Sequence, residues 1–309
     1  MTIKKDKFFP GGNDLAELKG KILFNKSLEN LSWLKVGGPA ECLYIPYNLE
    51  DLSRFLSFLS PKININVFGR LSNVLIRDGG LSGVTILMPP NFLPINLLKG
   101  DQISAGAGIL DKNLSHQAMC AELGGLEFLS SIPGSIGGAV AMNAGCYGKE
   151  IKDIILEGKF IDRKGKISVL TKNEIGFLYR GTKLSEGKIL IEAIFQGQPS
   201  KKEKIRSLIE KINSGREISQ PKGYATGGST FKNPTEKKAW ELIKESGMQG
   251  KKIGGAEVSK KHCNFLINNG EATAKDFEDL GNTIIEKVFS SSGITLEWEI
   301  RIVGQHLDR

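Results

Sequence analysis

The sequence predicts a mixed α/β chain with more than one domain, and three observations carry that prediction. Between residues 40 and 80 an alternating apolar stretch, an amphipathic helix and a second alternating stretch follow one another, the pattern of a βαβ-like lobe. From about Gly83 to residue 170, strand-length segments punctuated by turn residues dominate. Beyond residue 215 helical periodicity returns, and the chain closes on an alternating apolar strand. A chain of 309 residues exceeds one ordinary hydrophobic core. The expected division is 1–86, 87–214 and 215–309.

Taken in order, Asn48 with Glu50 and Asp51 supplies the cap and acidic first turn of a helix whose apolar face is Leu49, Leu52, Phe55, Leu56 and Leu59. Ile63, Ile65 and Val67 alternate and run into FGRLSNVLIRDGG, so 69–80 reads as strand, turn and strand around a loop large enough for a nucleotide. Short strands (VTILMP, DQISAGAG) precede a helix over 111–123. A hairpin is expected from 154–162 and 167–170 across a turn at 163–166. Ser200 and Glu203 have capping-box spacing ahead of a helix buried through Ile205, Leu208, Ile209 and Ile212. Residues 215–228, GREISQPKGYATGG, have the composition of a connection. A helix over 236–245, a loop, a helix opened by Thr273 with Asp276 three residues on, and the strand TLEWEIRIVG complete the chain. That strand sets Leu296, Trp298, Ile300 and Ile302 against Glu297, Glu299 and Arg301.

Composition narrows the partners. The net charge of +8 favours anions, yet the lysines are spread along the chain and form no single basic stripe, which suits nucleotides or phosphorylated metabolites better than nucleic acid. No apolar run reaches membrane-spanning length. Lys4, Lys5 and Lys7 are followed by FFPGGND, which ends before a signal-peptide core could form, so a cytoplasmic protein without membrane insertion is expected. Four scattered cysteines and three histidines with no ligand spacing argue against a disulfide framework and a metal site.

The stretch 129–148, LSSIPGSIGGAVAMNAGCYG, holds five glycines, and its nearest charged neighbour is Lys149. Glycine admits positive φ and has no Cβ, so successive backbone N–H groups can converge on a phosphate or pyrophosphate. The same composition would also serve a tight buried turn between packed elements. No GxxxxGK[ST] loop is present, and AGAG at 105–108 lacks dinucleotide-fingerprint spacing. Two Gly/Ser turns, at 69–73 and 134–138, could instead grip the two phosphates of one long cofactor.

Six motifs in fixed order, IPGSIGGAVAMNAGCYG with the earlier GRLSN, LYRG at 178–181, GGSTFKNP at 227–234, VSKKHCNFLINNGEATAKD at 258–276 and the closing LEWEIRIVG, resemble the UDP-N-acetylenolpyruvoylglucosamine reductase (MurB) family over most of residues 30–305. The resemblance implies a two-lobed FAD-binding module of the vanillyl-alcohol-oxidase (PCMH) type plus a C-terminal α/β substrate domain. It implies FAD, and NADPH as hydride donor, acting on a nucleotide-sugar substrate; the two glycine-rich turns, neither of which holds a histidine, predict that the FAD is held non-covalently. By the same resemblance Gly69, Ser72, Asn73, Gly134, Ser135, Gly137, Gly138 and Asn143 line the FAD, mainly through backbone donors. Leu71 departs from the family, which usually has glycine there, and a leucine adopts a glycine-type conformation only at a cost.

The implied reaction reduces the enolpyruvyl double bond, and the family's three catalytic positions fall on Arg180, Ser229 and Glu299. Arg180 would meet the substrate carboxylate with its planar fork and Ser229 would protonate the carbanion. Without the resemblance, these residues read as a surface ion pair, a Gly-Ser turn and a solvated strand face. Tyr179, Lys232 and Asn264 carry over as substrate contacts, with Lys232 toward the diphosphate. The 48 residues between Arg180 and Ser229 are filled by a strand, a helix and a linker, which predicts a form without the long lid that one branch of the family inserts there. Two alternatives stand beside this reading: an FAD-dependent oxidase of the same fold, and a non-catalytic nucleotide- or RNA-binding protein.

Overall fold

Residues 5–10, 15–184 and 187–307 are described in the computed structural model of the chain. They form two compact units, each discontinuous in sequence. Unit 1 takes residues up to Phe24, 42–70 and 83–215, whereas unit 2 takes 25–41, 71–82 and 216 onward. The expected division at 86/87 thus has no counterpart among these unit boundaries. The short segment 71–82 belongs with the C-terminal third because its strand Val74–Ile76 pairs parallel with Arg301–Val303.

Unit 1 is built on a five-stranded antiparallel sheet in the order Ile167–Thr171, Ile155–Ile161, Ile189–Gln196, Gln102–Gly106, Ile95–Leu97. The predicted hairpin is the pairing of the first two of these, closed at Ile161↔Ile167. The predicted succession of strand, helix and strand is present as Pro39–Ile45, Leu49–Phe58 and Ile65–Phe68, and the last of these pairs parallel with Leu81–Leu87. Asn48 caps that helix by accepting from the Asp51 N–H, and Leu52, Phe55 and Leu56 face the core, Phe55 stacked on Tyr44 at 3.5 Å. Tyr44 donates to Asp51, which also accepts the N–H groups of Tyr47 and Lys19. Burial works against the Asp51 charge, but these bonds win and hold its carboxyl below the usual range, while burial and the same carboxylate push the Tyr44 phenol far up.

Unit 2 packs the helices Ala239–Glu245 and Ala274–Ser292 with an antiparallel sheet in the order Ala225–Ser229, Phe265–Asn268, Ala256–Val258, Lys252–Ile253. The predicted capping box is complete: Asp276 N–H bonds Thr273 Oγ1 at 3.1 Å and Thr273 N–H bonds the Asp276 carboxylate at 2.9 Å. Phe277, Leu280, Ile284 and Val288 then line the buried stripe of that helix. Gly281 lies on the same stripe, and a Cβ there would sit 2.0 Å from the Trp298 indole.

Four expectations need correction. The helix expected over 111–123 stops at Cys120, because Glu122 takes φ +56° and Leu123–Gly124 pairs with Gln198–Pro199. The helix from 202 runs to Ser219 through the start of the supposed connection, its last turn held by Arg216 Nε to Gln220 Oε1 at 2.6 Å. Only Ile205 of its predicted face is buried, and Leu208 is exposed. The final strand is laddered only at Arg301–Val303; upstream, Glu299 and Ile300 both donate to the single carbonyl of Thr230. Its alternation survives, with Leu296 and Ile300 buried and Trp298 and Ile302 packed against the same core. The interval 181–228 is occupied by Gly181–Thr182, Ile189–Gln196, Gln198–Pro199, Lys202–Ser219 and the start of Ala225–Ser229. Among the described residues no helix is long and apolar enough to cross a membrane.

Candidate active site

Unit 1 brings together Gly69 and Ser135, which lie 66 positions apart in sequence. A methyl group added at Gly69 would lie 1.8 Å from Ser135 Oγ, so only glycine lets the two turns approach this closely. The Ser135 hydroxyl is buried and has no hydrogen-bond partner among the described residues. Gly134 holds φ +153°, Gly137 rests on the Ala107 carbonyl, and Gly138 faces open space on the Cα side. A close-packed backbone cradle with an uncommitted hydroxyl fits a pyrophosphate-bearing cofactor.

In unit 2, the turn residues Ser72 and Asn73 follow Leu71. Leu71 takes the left-handed conformation, φ +51°, while remaining 3% exposed. The glycine-type turn is therefore kept despite the leucine, whose buried side chain offsets a backbone cost of about 1–2 kcal/mol. Asn73 Nδ2 donates to the Glu299 carbonyl at 3.1 Å, and its own carbonyl accepts from Arg301 N–H. The turn at 71–73 is thus tied to the backbone at Glu299 and Arg301.

Asn143 differs from the other predicted cradle residues. It is fully buried; its N–H bonds the Val140 carbonyl, and both amide hydrogens are engaged, on Glu150 Oε2 at 3.0 Å and on the Leu178 carbonyl at 2.9 Å. Its Oδ1 accepts from Lys152 N–H at 3.0 Å. These bonds clamp Asn143 within the fold, between Val140, Glu150, Lys152 and Leu178.

Arg180 sits in a two-residue hairpin turn, Tyr179–Arg180, between the paired strands Phe177–Leu178 and Gly181–Thr182. Its φ of +56° falls where glycine is the ordinary occupant, a strain of about 1–3 kcal/mol that persists only where surroundings enforce it. The enforcing contacts are Glu150 Oε1 at 3.4 Å, the Gly145 carbonyl at 3.3 Å and the Tyr179 ring, 4.9 Å beneath the guanidinium. The Arg180 side chain is 15% exposed. The Tyr179 residue is 48% exposed and stands at the surface.

Unit 2 brings Ser229 and Glu299 together through the main chain. The strand Ala225–Ser229 has a register shift between Thr226 and Ser229, where Gly228 takes φ +83° and a Cβ at Gly227 would lie 2.9 Å from Ile300. The glycine pair thus makes a bulge, a device that re-aims the next side chain, here Ser229. Thr230, next in sequence, accepts Glu299 N–H at 2.8 Å and Ile300 N–H at 3.3 Å on its carbonyl. Asn264, only 4% exposed, holds the same segment: its Oδ1 accepts Phe231 N–H at 2.9 Å and its Nδ2 donates to Phe231 carbonyl at 2.8 Å. Lys232 Nζ lies 3.0 Å from Glu297 Oε2, and Lys232 N–H donates to the Glu297 carbonyl at 2.8 Å.

Histidine and cysteine take no comparable position. His262 packs edge-on to Phe265 and accepts Asn264 N–H on Nδ1, and burial lowers its pKa, keeping it neutral. Cys146 lies 3.1 Å from Ser131 Oγ and 3.4 Å from the Phe128 carbonyl, as a packed thiol. Sequence reasoning missed Glu150 and Thr230. Glu150 pairs locally with Lys152, but its other side-chain partners, Asn143 and Arg180, are 7 and 30 residues away, and no local pattern signals those two.

Residues 40–171 match an FAD binding domain, and residues 220–303 match the C-terminal domain of UDP-N-acetylenolpyruvoylglucosamine reductase. The reductase of that name from Beijerinckia indica is 47% identical over 94% of this chain and 93% of its own length. The one from Rickettsia massiliae is 46% identical over 94% and 99%. The crystal structure of the reductase (MurB) from Thermus caldophilus superposes with a TM-score of 0.79 at 32% identity, covering 92% of this chain and 99% of that one. By both of its matched domains and by near-full-length identity, the chain belongs to the UDP-N-acetylenolpyruvoylglucosamine reductase family.

Proposed function

We propose that this chain reduces UDP-N-acetylglucosamine enolpyruvate to UDP-N-acetylmuramate with NADPH, in the cytoplasm, as a step of peptidoglycan synthesis for the cell wall. The bound FAD would relay the hydride from NADPH to the terminal carbon of the enolpyruvyl double bond. Gly69, Ser72, Gly134, Ser135, Gly137 and Gly138 hold it, with Asn73 and Asn143 fixing the ends of the two turns from within. Attachment is non-covalent, since Cys146 is spent on packing contacts. Residues 1–86 and 87–214 supply the cofactor lobes and 215–309 the substrate domain in this reading.

Hydride addition leaves negative charge on the carbon beside the carboxylate, so the protein must stabilise that charge and then deliver a proton. Arg180, permanently cationic, engages the carboxylate. Ser229 gives the proton, and Glu299 acts on the same intermediate. Lys232 meets the diphosphate by exchanging its Glu297 partner for phosphate oxygens. Tyr179 is the other surface contact, while Asn264 serves the substrate indirectly, by fixing the Phe231 backbone beside Lys232.

The observation that carries this reading is the Thr230 carbonyl, whose bonds from Glu299 and Ile300 fix Ser229 and Glu299 in one backbone frame. Stopped-flow measurement of Ser229→Ala tests it. Flavin reduction by NADPH should keep its rate, because that step needs no proton from serine. Reoxidation by the enolpyruvyl substrate should fall by about 10²- to 10⁴-fold. Slow reduction with normal reoxidation would overturn the assignment.

A further inference from the structure

The carboxylate of Glu150 joins the end of the glycine-rich stretch to the strained arginine turn. Three partners converge on it: Arg180 Nη1 at 3.4 Å on Oε1, Lys152 Nζ at 2.7 Å and Asn143 Nδ2 at 3.0 Å on Oε2. Its own side chain is 18% exposed. Lys152 answers part of the Glu150 charge, and Asn143 fixes the other oxygen, so the carboxylate cannot follow Arg180 if the guanidinium moves. Asn143 also donates to the Leu178 carbonyl, two residues before Arg180, so one amide anchors both the turn and the group that faces its arginine. The Gly145 carbonyl then takes Nη2, and the Tyr179 ring closes one face of the guanidinium.

We propose that Glu150 is a positioning residue for Arg180. It acts through the guanidinium, holding it at a fixed place and orientation in a backbone conformation that arginine would not otherwise keep. The inference rests on the reading of Arg180 as the group that meets the substrate carboxylate. A misplacement of about 1 Å arising away from the chemistry can cost roughly 10²-fold in rate. Loss of the Glu150 charge should therefore appear in the half-reaction that uses Arg180 and leave the other alone.

The test is a double-mutant cycle on the flavin-loaded enzyme, following flavin absorbance for each half-reaction. Glu150→Gln should leave reduction by NADPH within twofold of wild type and slow reoxidation by the enolpyruvyl substrate about 10- to 100-fold. In an Arg180→Lys background, itself slow in reoxidation, the same Glu150→Gln change should cost less than twofold, because the group it positions is gone. Equal losses in both backgrounds would show that Glu150 acts independently of Arg180 and would overturn the proposal while leaving the role of Arg180 intact. Normal reoxidation in Arg180→Lys alone would overturn both readings. Should Glu150→Gln fail to retain flavin, Lys152→Met removes one partner of Glu150 without touching Arg180. Slowed reoxidation with full flavin content in that variant supports the proposal, and unchanged reoxidation contradicts it.

Discussion

Replacing Gly69 with alanine tests the cradle at its tightest point. The new methyl would lie 1.8 Å from Ser135 Oγ and 3.0 Å from Ser135 Cβ, against an ordinary contact of about 3.5 Å. Ser135 is 1% exposed, so its hydroxyl cannot swing into solvent, and the relief must come from moving one glycine turn off the other. Overpacking of this kind costs about 1–3 kcal/mol. If that strain falls on the cofactor-bound form, flavin affinity drops by about 5- to 150-fold. Apo-protein titrated with FAD, followed by fluorescence quenching, reads the change directly. Adding Ser135→Gly removes both offending atoms, so the double variant should bind FAD no more weakly than Ser135→Gly alone. Wild-type affinity in Gly69→Ala, or a double variant weaker than either single one, would refute the interlocked-turn geometry.

Other outcomes follow from single contacts. Leu71→Gly relieves a left-handed backbone worth about 1–2 kcal/mol but removes a buried leucine worth about 2–5 kcal/mol, so the melting temperature should fall, and an unchanged or raised value would show the strain to be the larger effect. Arg77 grips Glu278 with two bonds, 2.9 and 2.7 Å, and that partner holds the Glu278 carboxyl below its ordinary value of 4.5. A depressed carboxyl stabilises above its unfolded pKa and loses that contribution as pH falls through its folded pKa. The stability gap between wild type and Glu278→Gln should therefore be constant above about pH 5 and shrink below it, and a gap that widens in acid would contradict the ion pair. Asn264→Ala leaves the buried Phe231 N–H and carbonyl without their side-chain partners, which should cost about 1–3 kcal/mol in denaturant melts and slow reoxidation more than reduction; an unchanged midpoint would exclude the clamp.

What the sequence made legible was local. The caps at Asn48 and Thr273, the buried face of Leu52, Phe55 and Leu56 and the 155–171 hairpin are decided by residues within a few positions of one another. Misreadings arose where a distant partner overruled local composition. Residues 215–219 look like the start of a linker, yet the helix continues through them, with Tyr147 donating to the Ile212 carbonyl from 65 residues away. The motifs proposed Arg180, Ser229 and Glu299 as site residues, but carried no signal of the contacts that hold Arg180 and the Glu299 backbone. Glu150 and Thr230, which no motif named, act through two ion pairs and a backbone carbonyl, and such bonds leave no periodic trace. Three of the residues expected to touch ligands, Asn73, Asn143 and Asn264, also donate their side-chain amides to protein carbonyls.

The most direct measurement of the central claim is an anaerobic spectrum of the purified chain through one catalytic cycle. The protein should be yellow, should bleach on adding NADPH, and should recover its colour on adding UDP-N-acetylglucosamine enolpyruvate with oxygen excluded. A colourless protein, to which no flavin can be restored, or colour that returns only when oxygen is admitted, would contradict the account.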